Sequence, residues 1–370
     1  MERTGPFLAI AAGGTGGHIL PGIETGRALL ASVPGSRAEW ICGGRAIEQR
    51  IYTSHGIEPV RLRVGTHRGR GRTLVSKAEM VADTGAMLRR LRRKRPDAVL
   101  AFGGAACAPV IAAAKLLRIP IFLHESNAVP GCTTRLFARH ARRVFLGMGG
   151  FEAPNAVLTG TPAAPPAEET VPIASRDTLL CAGGSQGASS LNELFLAVLA
   201  DPRIAELPLR FHLVAGPGKG EPPVPPGVPR EKLTIVEYET NMGSVLARTR
   251  LAVSRAGAGT LADLAAHSVP ALLVPYPHAA DDHQAANAAH YAGRGGAETV
   301  REENLNTEEL TDQLSRLLAS EDRLNTMSET MGALAHRGAA LRVVETILSE
   351  LGVSGATAGA RIPAGTGGTA

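Results

Sequence analysis

What most constrains this chain is a unit that occurs twice: a short apolar run, a glycine-rich turn, then a helical pattern. Phe7–Ala12 runs into Gly13-Gly14-Thr15-Gly16-Gly17-His18, and helical spacing follows through Ile19, Ile23, Leu29 and Leu30. Much later, Thr178–Ala182 runs into Gly183-Gly184-Ser185-Gln186-Gly187-Ala188, followed by Leu191, Leu194, Phe195 and Val198. The echo continues: residues 98–102 end in Gly103-Gly104, and 251–254 end in Arg255-Ala256-Gly257-Ala258-Gly259-Thr260. Runs 119–123 and 269–274 match in the same way. Apolar runs that do not alternate, set between helices, indicate parallel strands covered on both faces. The expected fold class is therefore α/β: two Rossmann-like, doubly wound parallel-sheet domains facing a cleft. A length of 370 residues suits two domains. Residues 151–172 hold five prolines and read as the linker between them.

Composition removes several classes. Hydrophobic residues at 44% and charged residues at 20% provide a core and argue against wholesale disorder. Aromatics at 4% argue against base-stacking platforms, so no nucleic-acid partner is expected. No run reaches the length of a membrane span, and Phe7–Ala12 is too short for a signal segment. Cys42, Cys107, Cys132 and Cys181 stand apart, without metal or disulfide spacing, and read as reduced, buried thiols of a cytoplasmic chain.

A glycine-rich turn between strand and helix aims backbone N–H groups and the helix's positive end at an anion, most often phosphate. Several such turns at equivalent positions favour phosphate binding over mere tight packing. The dinucleotide fingerprint fails, because Ile19 stands where its last glycine belongs, and no acid follows the strand near 39–42. No P-loop motif occurs. A nucleotide sugar remains open. His18 ends the first loop, where a helix N-terminus favours the neutral imidazole and hence a proton acceptor. Its bland alternative is a histidine that only hydrogen-bonds the loop. Asp263, one turn after Gly259-Thr260, suits ribose hydroxyls or is a solvated helix residue. Asn127 suits a sugar hydroxyl or acetamide. The polar stretch 278–287 reads as a ligand rim or a capped helix start. His278, Asp281 and His283 have only weak metal-ligand spacing.

Positive charge is concentrated. Residues 61–95 carry twelve Lys and Arg against Glu79 and Asp83, a net +10 in a chain whose whole net charge is +5. Apolar Leu74, Val75, Met80, Val81, Met87 and Leu88 are interleaved. Such a segment suits an anionic membrane surface or a pyrophosphate-bearing lipid.

Taken in order, the two glycine loops, His124-Glu125-Ser126-Asn127-Ala128, Ser254 through Thr260 and Pro275 through Gln284 resemble the bacterial MurG family, glycosyltransferase family 28. The resemblance covers about residues 7–351. It implies a GT-B fold. Residues 1–160 would form an acceptor- and membrane-side domain, and 161–334 a UDP-N-acetylglucosamine domain. A helix at about 335–351 would pack back on the first domain, and 352–370 would be a disordered tail. The implied reaction is metal-independent, inverting transfer of N-acetylglucosamine to the muramyl C4 hydroxyl of lipid I, giving β-1,4-linked lipid II on the cytoplasmic membrane face in peptidoglycan synthesis. His18 is the candidate base. Thr15, Gly16, Gly17, Asn127, Ser185, Gln186, Tyr238, Glu239, Ala258, Gly259, Thr260, Leu261, Ala262, Asp263, His283 and Gln284 would meet the donor. Gly13, Gly14, Gly103 and Gly104 would meet the acceptor pyrophosphate. No cofactor is implied.

Three departures stand out. Asp263 replaces the family's usual Glu, Gly160-Thr161-Pro162-Ala163-Ala164 lacks its donor-site Arg, and Gly103-Gly104-Ala105-Ala106-Cys107 lacks its aromatic. Related readings on the same fold are a transferase to another lipid or natural-product acceptor, a UDP-sugar 2-epimerase, and a non-catalytic nucleotide-sugar-binding protein.

Overall fold

The computed structural model describes residues 5–65, 72–166, 171–184, 187–218 and 222–353. The tail expectation for 352–370 therefore lies outside the described residues from 354 onward. The first lobe holds β1 (Phe7–Ala12), α1 (Gly16–Ser32), β2 (Arg37–Cys42), α2 (Ala46–Ser54), β3 (Val60–Arg61) and α3 (Arg72–Lys94). It continues with β4 (Ala98–Gly103), α4 (Cys107–Leu116), β5 (Ile121–Glu125), α5 (Cys132–Phe137), β6 (Arg143–Leu146) and β7 (Ala156–Leu158). The second lobe holds β8 (Thr178–Ala182), α6 (Ser189–Leu199), α7 (Pro202–Ala205), β9 (Arg210–Val214), β10 (Leu233–Val236) and α8 (Met242–Arg248). After these come β11 (Thr249–Ser254), α9 (Ala258–Ala266), β12 (Ala271–Leu273), α10 (His283–Ala292), β13 (Ala297–Thr299), α11 (Thr307–Leu318), α12 (Glu321–Ala333) and α13 (Ala339–Glu350).

Both sheets are parallel throughout, in the orders β3-β2-β1-β4-β5-β6-β7 and β10-β9-β8-β11-β12-β13. All six residues of β1 and all five of β8 are buried, as expected of central strands covered on both faces. In each sheet the strand order reverses beside its first strand: between β1 and β4, and between β8 and β11. A crevice opens at such a switch point beyond the carboxyl ends of the strands. The glycine-rich turns are the segments leaving those ends.

The structure corrects two readings. The proline-rich stretch 151–172 is not linker throughout, because β7 lies inside it and pairs with β6 as the sheet's edge. Three residues between prolines are too short to give a strand pattern. Cys132 is exposed at the start of α5, whereas Cys42, Cys107 and Cys181 are buried.

The chain crosses between lobes twice, and the crossings lie side by side. Gly160 has φ +84°, and a Cβ there would come within 1.9 Å of the His336 Cβ, so only glycine fits. Arg342 of α13 donates to the carbonyls of Thr159 (2.7 Å) and His336 (3.0 Å). After the second crossing, α13 returns to the first lobe. Its Val343, Val344, Ile347 and Leu348 share a core with Leu8, Ile10, Ile19 and Ile23. In the other direction, Met148 and Ala128 of the first lobe pack in the second lobe's core.

Candidate active site

On the first lobe, the β1–α1 and β4–α4 turns are built against each other. Gly13 N–H donates to Gly103 O (3.2 Å). Gly104 has φ +87°, and a Cβ there would stand 2.3 Å from Gly13 O, so the close approach of the two turns requires glycine. A carboxylate holds the first turn from below. Glu48 Oε1 accepts from Gly14 N–H (2.9 Å), and Oε2 accepts from Gly43 N–H (2.6 Å). Arg45 donates to Gly14 O (2.9 Å). Glu48 is 2% exposed, so its charge is solvated by these donors rather than by water.

His18 lies in the first turn of α1, between the two glycine turns. Its Nδ1 is 3.0 Å from Gly13 O. A carbonyl can only accept, so in the neutral ring Nδ1 carries the hydrogen and Nε2 presents its lone pair. Nε2 is the ring atom nearest Gly103, 3.0 Å from where a Cβ there would be, and no hydrogen bond among the described residues occupies it. The backbone-bonding and proton-accepting readings of His18 are thus compatible, one on each nitrogen. Thr15 is the N-cap residue of α1, and its hydroxyl makes no capping bond.

The opposite wall is the start of α9. Gly257 is its N-cap and no side chain caps the helix, so its first N–H groups are left for an anion. A Cβ on Gly259 would lie 3.4 Å from the Cα of Gly17, which puts the two helix starts in contact across the cleft. Asp263 faces the same way and makes no ion pair among the described residues. Burial, reinforced by the Glu24 carboxylate on α1, raises its pKa to about 7. Leu261 is fully buried in the second lobe's core and its N–H is bonded to Gly257 O (3.0 Å), so its side chain packs inward. Helical spacing turns Ala258, Leu261 and Ala265 toward the sheet while Ala262 and Asp263 face outward.

The polar rim follows β12. Asp281 and Asp282 adopt left-handed φ values of 53° and 49° just before α10. Asp281 pairs with Arg135 of α5 across the cleft, and Asp282 pairs with Arg301 (3.1 Å). Gln284 Oε1 accepts from Tyr276 N–H (3.0 Å), which orients its amide NH2 away from the turn, and His283 Nδ1 bonds Ala280 O (2.7 Å). Among the described residues no three His, Cys, Asp or Glu side chains group as metal ligands. Tyr238 and Glu239 follow β10, the edge strand of the second sheet, and Glu239 pairs with His212 (3.2 Å). Ser185 and Gln186 lie outside the described residues.

Residues given no role from the sequence complete the site. Arg255, 4% exposed, pairs with Glu302 (2.9 Å), donates to Val274 O and Pro275 O, and lies 5.6 Å from the Tyr276 ring. It ties the ends of β11 and β12 together. Glu125 accepts three hydrogen bonds from the loop that carries Asn127 and one from Thr134 of α5. His124 is buried, which lowers its pKa to about 4, and it bonds Gly160 O (3.1 Å) as a neutral structural group. Asn287 is fully buried between the lobes. The polar stretch 278–287 signalled Asn287 only collectively, the ordered motifs carried His124, Glu125 and Arg255 without giving them a role, and nothing in the sequence around Glu48 marks it.

Two glycine turns on one wall and an uncapped helix start on the other define a cleft for a phosphate-bearing ligand. Residues 8–146 match the glycosyltransferase family 28 N-terminal domain, and 178–343 match the family 28 C-terminal domain. The chain belongs to glycosyltransferase family 28. This family 28 chain is 35% identical to a protein of Syntrophotalea carbinolica over 357 residues, covering 91% of this chain and 97% of the relative. That relative is named UDP-N-acetylglucosamine–N-acetylmuramyl-(pentapeptide) pyrophosphoryl-undecaprenol N-acetylglucosamine transferase. Acinetobacter baumannii MurG superposes with a TM-score of 0.71 at 26% identity, covering 93% of this chain and 99% of that one. A Neisseria meningitidis UDP-GlcNAc 2-epimerase shares the fold alone, with a TM-score of 0.63 at 12% identity over 93% of this chain and 100% of that one. The family 28 fold thus accounts for both sheets and their shared strand order.

Proposed function

We propose that this chain transfers N-acetylglucosamine from UDP-N-acetylglucosamine to the muramyl C4 hydroxyl of lipid I, giving lipid II in peptidoglycan synthesis. The observation that carries the reading is His18: a ring with a fixed tautomer, at the junction of two glycine turns, directly across from the α9 N-terminus. The relatives' names supply the donor and acceptor. Nε2 of His18 takes the proton of the attacking hydroxyl as that oxygen bonds C1 of the donor sugar. The C1–oxygen bond to UDP breaks on the opposite face, which inverts the anomeric centre. Charge collects on the departing diphosphate, where the α9 N-terminus stabilises it. Asp263 accepts the ribose hydroxyls, Gln284 and Asn127 meet the sugar, and the first-lobe glycine turns hold the acceptor's pyrophosphate. In this reading the lobes divide near residue 160.

The chain works at the cytoplasmic face of the membrane as a peripheral protein. No helix among the described residues is long and apolar enough to cross a membrane. Between β3 and α3 lies a groove of about 510 Å³ lined by Arg61, Arg63, Arg89, Arg90 and Arg93. Arg90 is engaged by Glu39 (2.7 Å), and the groove suits anionic headgroups.

The test is UDP release from UDP-N-acetylglucosamine, with and without a soluble lipid I analogue, in EDTA. Acceptor-dependent release supports the transferase. Release without acceptor points instead to hydrolase- or epimerase-like chemistry, and binding without release to a non-catalytic protein.

A further inference from the structure

Asn287 lies in the middle of α10 and is 0% exposed. Its Oδ1 accepts from the Ala128 N–H (2.9 Å). Its Nδ2 donates to Asn127 Oδ1 (3.1 Å) and to Ala256 O (3.0 Å). A backbone N–H can only donate and a backbone carbonyl can only accept, so the amide's orientation is fixed by its partners. Two of those partners belong to the first lobe and one to the second.

Each end of this link is itself anchored. Asn127 Nδ2 donates to Glu125 Oε1 (3.1 Å), which leaves Asn127 Oδ1 facing Asn287. Glu125 also accepts from Gly131 N–H (2.7 Å) and the Thr134 hydroxyl (2.7 Å), so loop 126–131 is held as a unit. At the other end, Ala256 is 0% exposed and immediately precedes Gly257, the N-cap of α9. The neighbours Ala288 and Tyr291 on α10 are ordinary core residues of the second lobe. An apolar residue at 287 would pack as they do, but it would leave the buried Ala256 carbonyl without this donor.

We propose that Asn287 is a positioning residue that sets the first-lobe loop bearing Asn127 against the second-lobe loop that opens α9. One side-chain amide thereby fixes the distance between the two walls of the cleft. The inference rests on the transferase reading. It predicts a particular kinetic pattern, because a misplaced wall costs the chemical step while leaving the donor's own contacts on α9 intact.

The experiment compares wild type with Asn287→Ala, Asn287→Asp, Asn127→Ala and the double Asn127→Ala/Asn287→Ala. Readouts are kcat, UDP-N-acetylglucosamine affinity by calorimetry, and thermal unfolding. Asn287→Ala is expected to lower kcat by about tenfold or more, with donor affinity held within about threefold. Asn287→Asp keeps an acceptor for Ala128 but sets oxygen against Asn127 Oδ1 and Ala256 O, so it should lose at least as much. The double variant should lose less than the product of the two single losses, since both changes cut the Asn127–Asn287 bond. Unchanged kcat in Asn287→Ala, losses that multiply in the double variant, or donor affinity falling in step with kcat would each overturn the proposal. If Asn287→Ala does not fold, Asn287→Asp and Asn287→Ser carry the comparison.

A second readout does not depend on turnover. In wild type, donor binding should slow amide hydrogen exchange in loop 126–131, and in Asn287→Ala that protection should vanish. Protection that persists refutes the link. Absent turnover in wild type, with this protection present, would instead count against the transferase reading alone.

Discussion

In the proposed mechanism His18 takes the proton at Nε2 while Gly13 O holds Nδ1, so removing the ring removes the proposed base and leaves the α9 wall in place. His18→Ala is expected to lower acceptor-dependent UDP release by about 10²–10⁴-fold while UDP affinity, read by calorimetry, stays near wild type. Asp263 makes a pH-dependent prediction. Its folded pKa of about 7 lies above the ordinary carboxylate value, so the folded state holds the proton more tightly than the unfolded state. The burial cost of its charge is therefore absent in acid and fully present above pH 7. Asp263→Asn should raise Tm at pH 8, and the gain should shrink as pH falls and vanish near pH 4. In wild type the donor should bind more tightly as pH rises through 7, because only the carboxylate accepts two ribose hydroxyls, and Asp263→Asn should flatten that profile. The loop motifs marked His18 and Asp263 in the sequence. They marked Leu261 along with them, but not its inward direction, which follows from helix phase relative to the sheet.

Whole elements were legible where apolar runs met glycine turns, and less so where short-range signals ran out. Thr178–Ala182 reads directly as a strand, and β8 has those bounds. By contrast β7 is three residues on a sheet edge, where only pairing with β6 defines it. The support beneath the first glycine turn was invisible for a different reason. Glu48 sits on α2, 34 residues from Gly14, and a lone Glu near a helix start looks like dipole compensation. Glu48→Gln places an amide NH2 against one of two backbone N–H donors. It should destabilise the chain by about 1–3 kcal/mol in urea unfolding, and it should slow turnover by loosening the turn that holds His18.

Across the whole molecule, the repeated strand order puts one switch point in each lobe and turns both toward a common cleft. The charge asymmetry read from composition is also a property at this scale. Replacing Arg89 and Arg93 by Gln should weaken binding to anionic vesicles roughly 30-fold, at about 1 kcal/mol per Arg, while leaving turnover of a soluble acceptor unchanged. Cosedimentation at two salt concentrations reads this directly.

The return of α13 makes the first lobe an unfinished object until that helix arrives. Ile347 and its neighbours fill a core whose members on β1 and α1 lie more than 300 residues earlier. Ile347→Ala, at a fully buried site, should cost about 2–5 kcal/mol, felt as faster hydrogen exchange in β1 and α1 rather than in the second lobe. During synthesis the ribosome delivers the first lobe first, yet that lobe cannot seal its apolar face until the second has been made. The second lobe carries its own core from β8 to α12 and can close earlier. The order of manufacture and the order of completion are thus inverted, and an interrupted chain would expose the very surface that the final helix covers.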